Sequence, residues 1–300
     1  MELTAFTLGV KWFETLRVSS SRKSKISVRP RGTLPAFSVD RVANAGTPVA
    51  LLFLVAGTVG FALSELGIGG SFIKYTPRWI HLLAVGTATL LVFSIGFRLL
   101  PRFLSTTPPG WLVWVVLPAG VIGPLLLAAG IPDGPLFQTG ALVQSIALVG
   151  YGALVVTLLV RTERSRVGYS AILAGALSGL AVVSLGLIFA FEGQSGQHVM
   201  THLRVAVLGF LGLTIVGVSY QFYPPAVFDG AFPANSVVGR EGVFTGNRIA
   251  RVGILLLCLA VLFELTRLTG TNGYVIYGSI LATFGSLSHL LVLVGIFRSR

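Results

Sequence analysis

Residues 111–160 read WLVWVVLPAGVIGPLLLAAG (111–130), IPDGPLF (131–137) and QTGALVQSIALVGYGALVVTLLV (138–160). Two apolar runs flank a short turn, and Asp133 is the single charged residue among them. A helix of ~20 apolar residues covers the ~30 Å hydrocarbon layer of a bilayer. The stretch therefore predicts two membrane-crossing helices joined by a tight connection. Pro118 and Pro124 fall inside the first, which membrane helices tolerate because neighbours satisfy the freed backbone groups.

The same pattern extends along the 300 residues. Apolar runs near 48–68, 79–100, 111–131, 138–160, 169–191, 201–223, 249–267 and 274–297 predict about eight transmembrane helices in an all-α, polytopic bundle. Composition agrees. The hydrophobic fraction is 54% and the charged fraction 11%, against roughly 25% charged in soluble domains. Mean hydropathy is +0.86. So few charges cannot clothe a water-facing surface, so lipid is the expected partner. The formal net charge of +12 would suggest nucleic acid in a soluble chain. Here the basic residues sit between apolar runs, and membrane topology explains them without nucleic acid.

Those charges also orient the bundle. Of the 22 Lys and Arg residues, all but Lys74, Arg78, Arg204 and Arg267 fall on the side that holds residues 1–47. Cytoplasmic loops carry the basic excess. Both ends are therefore expected in the cytoplasm, with the chain in the plasma membrane. Residues 1–47 lack a long apolar run and read as a basic cytoplasmic segment near anionic lipid rather than a secretory signal. Their serine and arginine content also resembles a transit peptide. Residues 48–300 form the transmembrane domain.

A faint internal repeat is present. His81 and His202 lie 121 residues apart, each near the start of an apolar run, and the same shift carries Gly96 onto Gly217. This suggests two four-helix halves, 48–168 and 169–300, running in the same direction.

Ionisable groups inside membrane helices are costly and mark function. The chain has four histidines, His81, His198, His202 and His289. The first three belong to one end of the bundle. His289 lies ~22 Å down the last helix, where Ser286 offers a hydrogen-bonding neighbour. Imidazole ligates haem iron and other transition metals. His81 and His202, at matching depth on helices 2 and 6, suit a haem held between them. At 100° per residue His202, Gly209, Leu213 and Tyr220 share a face within ~20°, with Gly217 ~60° away. His81, Ala88, Val92 and Leu99 do the same, with Gly96 displaced likewise. Small residues at Ala88, Gly209, Gly96 and Gly217 would let a macrocycle lie flat, and they equally suit plain helix packing. His198 and His202, four residues apart, together with His81 would instead make a three-imidazole site for copper or zinc. A third reading has no cofactor: a small-solute or ion transporter with a cavity lined by Gln144, Ser145, Tyr220 and Gln221. The single cysteine, Cys258, allows no disulfide framework. Glu264 and Arg267, three apart, form a natural helical pair.

His81-Leu-Leu-Ala-Val-Gly86 with Phe97-Arg98-Leu-Leu-Pro101-Arg102-Phe103 resembles helices of haem-copper oxidase subunit I relatives. So does His202-Leu-Arg204-Val-Ala-Val-Leu-Gly209-Phe-Leu-Gly-Leu-Thr-Ile-Val-Gly217 with Tyr223-Pro224-Pro225. Small membrane haem proteins of the NnrS type share this pattern. The resemblance implies a haem b carrier or accessory protein in electron transport, with a respiratory-chain redox partner. It departs at Arg204, where relatives have a second histidine of a His-x-His pair. A family oxidase needs six histidines for two haems and copper, against four here. The resemblance therefore implies at most one bis-histidine haem and no oxygen- or nitric oxide-reducing centre. Arg204, ~200° around from His202, is expected to snorkel to headgroups, with a haem propionate as its other candidate partner.

The charge pattern makes a direct prediction. In a Cys258→Ser background, a membrane-impermeant thiol reagent applied to intact cells should label Ser71→Cys. It should reach Ser165→Cys only after the membrane is broken. Labelling in the opposite sense would invert the topology.

Overall fold

The computed structural model describes residues 36–68, 70, 73, 76–104, 106–131, 134–162, 167–193, 196–228, 246–270 and 274–298. Leu34–Arg300 is one compact unit; the other, Met1–Thr33, lies outside the described residues. Among the described residues there is no strand, and eight helices are long and apolar enough to cross a membrane. They are α1 (Ala36–Glu65), α2 (Thr76–Leu104), α3 (Gly110–Gly130), α4 (Pro135–Arg161), α5 (Val167–Glu192), α6 (Gly196–Phe228), α7 (Gly246–Leu265) and α8 (Val275–Arg298). All eight expected spans are present, and the protein is an all-α polytopic bundle.

The largest departure is at α1. Residues 36–47, assigned by sequence to the basic segment, are helical. Val39, Ala43, Ala50 and Phe53 recur at helical spacing and are buried in the core shared with α2. This packing holds the helix through Pro48, which lacks the N–H for one backbone bond. At 30 residues α1 is ~45 Å long, so it outreaches the ~30 Å hydrocarbon layer.

The outer surface is what lipid requires. Leu52 is 67% exposed, Trp111 63% and Ile276 64%. In water such a surface would drive aggregation. In lipid it costs nothing, because acyl chains are as apolar as leucine.

With no hydrophobic force between helices in lipid, close backbone approach does the packing. Glycines provide it in three hairpins. Between α3 and α4, a Cβ on Gly140 would stand 2.5 Å from the Leu127 nitrogen, and one on Gly130 would overlap the Phe137 nitrogen. Between α5 and α6, a Cβ on Gly175 would meet the Thr214 side chain at 2.5 Å and its backbone nitrogen at 3.0 Å. Between α7 and α8, Gly253 and Gly285 face one another's backbones.

The two helices that carry His81 and His202 depart from α-geometry at equivalent places. α2 contains a π-helical segment, Leu82–Thr89, starting one residue after His81. α6 contains another, Val205–Leu213, starting three residues after His202. π-segments are rare and cluster at functional sites.

Gly140→Ala should force α3 and α4 apart and destabilise the detergent-purified protein by about 2 kcal/mol. Gly152 in α4 has open space around it, so Gly152→Ala should be neutral or stabilising by up to ~1 kcal/mol, the helix-propensity gain. Thermal unfolding of the two variants side by side checks the pair; equal behaviour would refute the packing argument.

Candidate functional site

His81 and His202 line one cavity of about 160 Å³, within about 1020 Å³ of atom-free space that includes its open mouth. Both histidine-bearing helices contribute to its wall. The back wall comes from α4 (Ala141, Gln144, Ser145, Leu148) and α5 (Val182, Val183, Gly186, Phe189). Leu127 of α3 completes one end. The site thus sits where helices 2–4 meet helices 5 and 6.

The π-segments explain which residues face it. On α2 the lining residues include His81, Val85 and Thr89; on α6 they include His202, Ala206 and Phe210, and Leu203, Val207 and Leu211. Each set steps by four. In an α-helix a four-residue step drifts by ~40° per turn. The i→i+5 bonding of a π-segment widens the turn and cancels much of that drift. Each stripe therefore runs straight along the cavity wall.

That register redirects the small residues selected by α-helical spacing. None of Ala88, Gly96, Gly209 and Gly217 lines the cavity. A Cβ on Gly96 would strike Tyr151 of α4. One on Gly209 would strike Ser178 of α5, and one on Gly217 would strike Ile172 and the Gly168 carbonyl of α5. These three glycines serve helix contacts. The residue that leaves room beside the His202 ring is Gly186 of α5, whose Cβ would stand 3.5 Å from Cε1. Nothing in local spacing marks Gly186, because its partner is on another helix.

The two imidazoles are held differently. His81 Nδ1 is 2.9 Å from the Pro77 carbonyl one turn back. Donation from Nδ1–H leaves the Nε2 lone pair free, the arrangement typical of a metal-ligating histidine. His202 packs edge-on against Phe189, ring centroids 5.3 Å apart at 60°. Its buried Nδ1 has no hydrogen bond of good geometry, although the Val182 backbone lies near.

The remaining histidines do not join them. α6 starts at Gly196, so His198 is helical and one turn before His202, yet it does not line the cavity. No group of three His, Cys, Asp or Glu side chains placed to hold a metal ion occurs among the described residues. The three-imidazole copper or zinc site is therefore not formed: His198 and His202 share a helix, but only His202 meets the cavity. His289 lies against Tyr220 of α6, ring centroids 5.0 Å apart at 69°. Of the four polar residues expected in a transport cavity, Gln144 and Ser145 line it and Tyr220 and Gln221 do not.

Two arginines beside the histidines are anchored to the next hairpin. Buried Arg78, three residues before His81, donates from Nη2 to the Ile131 carbonyl at 2.7 Å. It caps the C-terminal end of α3, where the helix dipole favours a cation. Arg204, two residues after His202, pairs with Glu264 at 2.9 Å. Arg267 meets the other carboxylate oxygen at 3.1 Å, the expected three-residue pair. This corrects the snorkelling assigned to Arg204. Pointing away from the cavity turns it toward α7, where a carboxylate that is 1% exposed is in reach. Glu264→Leu leaves two arginines without their carboxylate. The loss expected for a fully buried pair is ~3–5 kcal/mol. Partial exposure of both arginines reduces this to about 2 kcal/mol. Thermal unfolding should show that loss, with Arg267→Gln losing less because Arg204 keeps its partner.

No protein-family model, no curated protein and no solved structure matches the chain.

Proposed function

We propose that this integral membrane protein carries one haem b between His81 and His202, as an electron-transfer or haem-holding relative of haem-copper oxidase subunit I and NnrS-type proteins. The observation that carries this reading is the shared cavity: two imidazoles from separate helices lining one gap. The wall is apolar apart from a few polar groups, as cofactor pockets are. Imidazole is the donor that haem iron accepts.

In this reading the two histidines hold the group from either side, and Pro77 sets the ring orientation of His81. Leu148, Val182, Phe189 and Phe210 keep water from the ring. Bound haem would supply one-electron chemistry, and a respiratory-chain component is the natural redox partner. The missing second histidine at Arg204 argues against a binuclear centre and hence against gas reduction.

A second reading, passage of a small neutral solute, draws support from Gln144 and Ser145 in the wall. Among the described residues no Asp, Glu, Lys or Arg lines the cavity, which disfavours an ionic solute. The Ser145 hydroxyl is already spent on the Ala141 carbonyl at 2.6 Å.

The absorbance spectrum of the detergent-purified protein discriminates. A low-spin, bis-imidazole spectrum is expected, lost in both His81→Ala and His202→Ala and retained in His198→Ala and His289→Ala. A preparation that stays colourless after haem is supplied would end the haem reading.

A further inference from the structure

Gln144 is the anomaly of the cavity wall. It is 5% exposed, and neither its amide oxygen nor its amide nitrogen has a hydrogen-bond partner. Its place is made by glycine: a Cβ on Gly123 of α3 would stand 2.7 Å from Oε1. Without water or acyl-chain partners, an unmatched carboxamide inside a membrane is strongly disfavoured. Its place in the cavity wall opens this carboxamide to a hydrogen-bonding group of a ligand.

The depth is informative. Gln144 lies nine residues into α4, ~14 Å from the helix start. His81 lies ~8 Å into α2 and His202 ~9 Å into α6. All three helices start on the same side, so Gln144 is about one turn below the plane of the imidazoles. The neighbouring Ser145 hydroxyl already donates to the Ala141 carbonyl at 2.6 Å. Among the described residues no cation lines the cavity.

A spare donor and a spare acceptor on one carboxamide suit a group that both accepts and donates, and a neutral carboxylic acid is such a group. The amide N–H donates to the carboxyl C=O, and the carboxyl O–H donates back to the amide oxygen. An ionised carboxylate would satisfy only the donor and would lie uncompensated in low dielectric, so the wall selects the protonated form. The hydrogen-bonding substituents of haem b are its two propionic acid groups. Resting on the haem reading above, we propose that Gln144 is a ligand-contacting residue that pairs reciprocally with one protonated propionic acid, turning that edge of the macrocycle toward the membrane interior.

The test is titration of haem-free protein with haem b and with its dimethyl ester, which cannot donate the return hydrogen bond. Wild-type protein should bind haem b about tenfold more tightly than the ester, equivalent to ~1.4 kcal/mol. Gln144→Leu should keep the bis-imidazole spectrum and bind both porphyrins alike. A preference that survives in Gln144→Leu, or is missing from the wild type, overturns the pairing. Should Gln144→Leu fail to fold, the infrared spectrum of wild-type protein loaded with haem ¹³C-labelled at the propionates decides. A label-sensitive protonated-carboxyl band is expected, and only carboxylate bands would overturn the proposal. Failure of both porphyrins to give the histidine-ligated spectrum in wild-type protein would instead remove the haem reading, and this pairing with it.

Discussion

Lipid gives helices no hydrophobic reason to associate, so this bundle is held where backbones come close enough for dispersion contacts. Glycine decides where that happens. Gly130 and Gly140 zip α3 to α4, Gly168, Gly175 and Gly217 zip α5 to α6, and Gly253 and Gly285 zip α7 to α8. α2 is similarly engaged with α1, where a Cβ on Gly57 would meet Leu83 and one on Gly60 would meet Trp79. The glycine-bearing faces of α2 and α6 are engaged elsewhere, and both helices line the cavity that holds the two histidines. The site is the remainder left by packing that is tight on every other side.

Polar groups divide into two populations that fit this view. At the end of the bundle where α2 and α6 begin, charged groups are matched: Arg78 on the Ile131 carbonyl, and Glu264 between Arg204 and Arg267. Within the cavity wall, His202 Nδ1 and both amide atoms of Gln144 are unmatched. The same chain that spends two arginines on capping and pairing leaves these groups without partners. In a low-dielectric interior such groups are costly, and Gln221, Ser94 and Tyr151 carry further ones away from the cavity.

The two halves echo one another through geometry more than through letters. In each, an arginine within three residues of the histidine anchors the histidine-bearing helix to the end of the following helix. In each, a π-segment begins directly beyond. The anchors use different chemistry, a backbone carbonyl in one half and a carboxylate in the other, so a residue-by-residue shift barely detects them.

Hydropathy alone was enough to place eight helices, because lipid demands ~20 apolar residues wherever a helix crosses and punishes any other pattern. The pairing of Glu264 with Arg267 was equally legible, being a property of one helix. So was the choice of His81 and His202, whose rarity within apolar runs sets them apart. The helical start of α1 at Ala36 escaped notice because its support is the burial of Val39 and Ala43 against another helix. For Gly96, Gly209 and Gly217 the sequence left open a macrocycle face or plain helix packing, and the structure places all three at helix contacts. Gly186 beside His202, Gly123 beside Gln144 and Glu264 beside Arg204 are meetings between separate helices. Sequence thus determined what must lie in the membrane, since burial in lipid is a one-dimensional constraint on each segment. Only tertiary structure decided which side chains share the cavity, since that depends on how close the backbones come and how far each helix is turned.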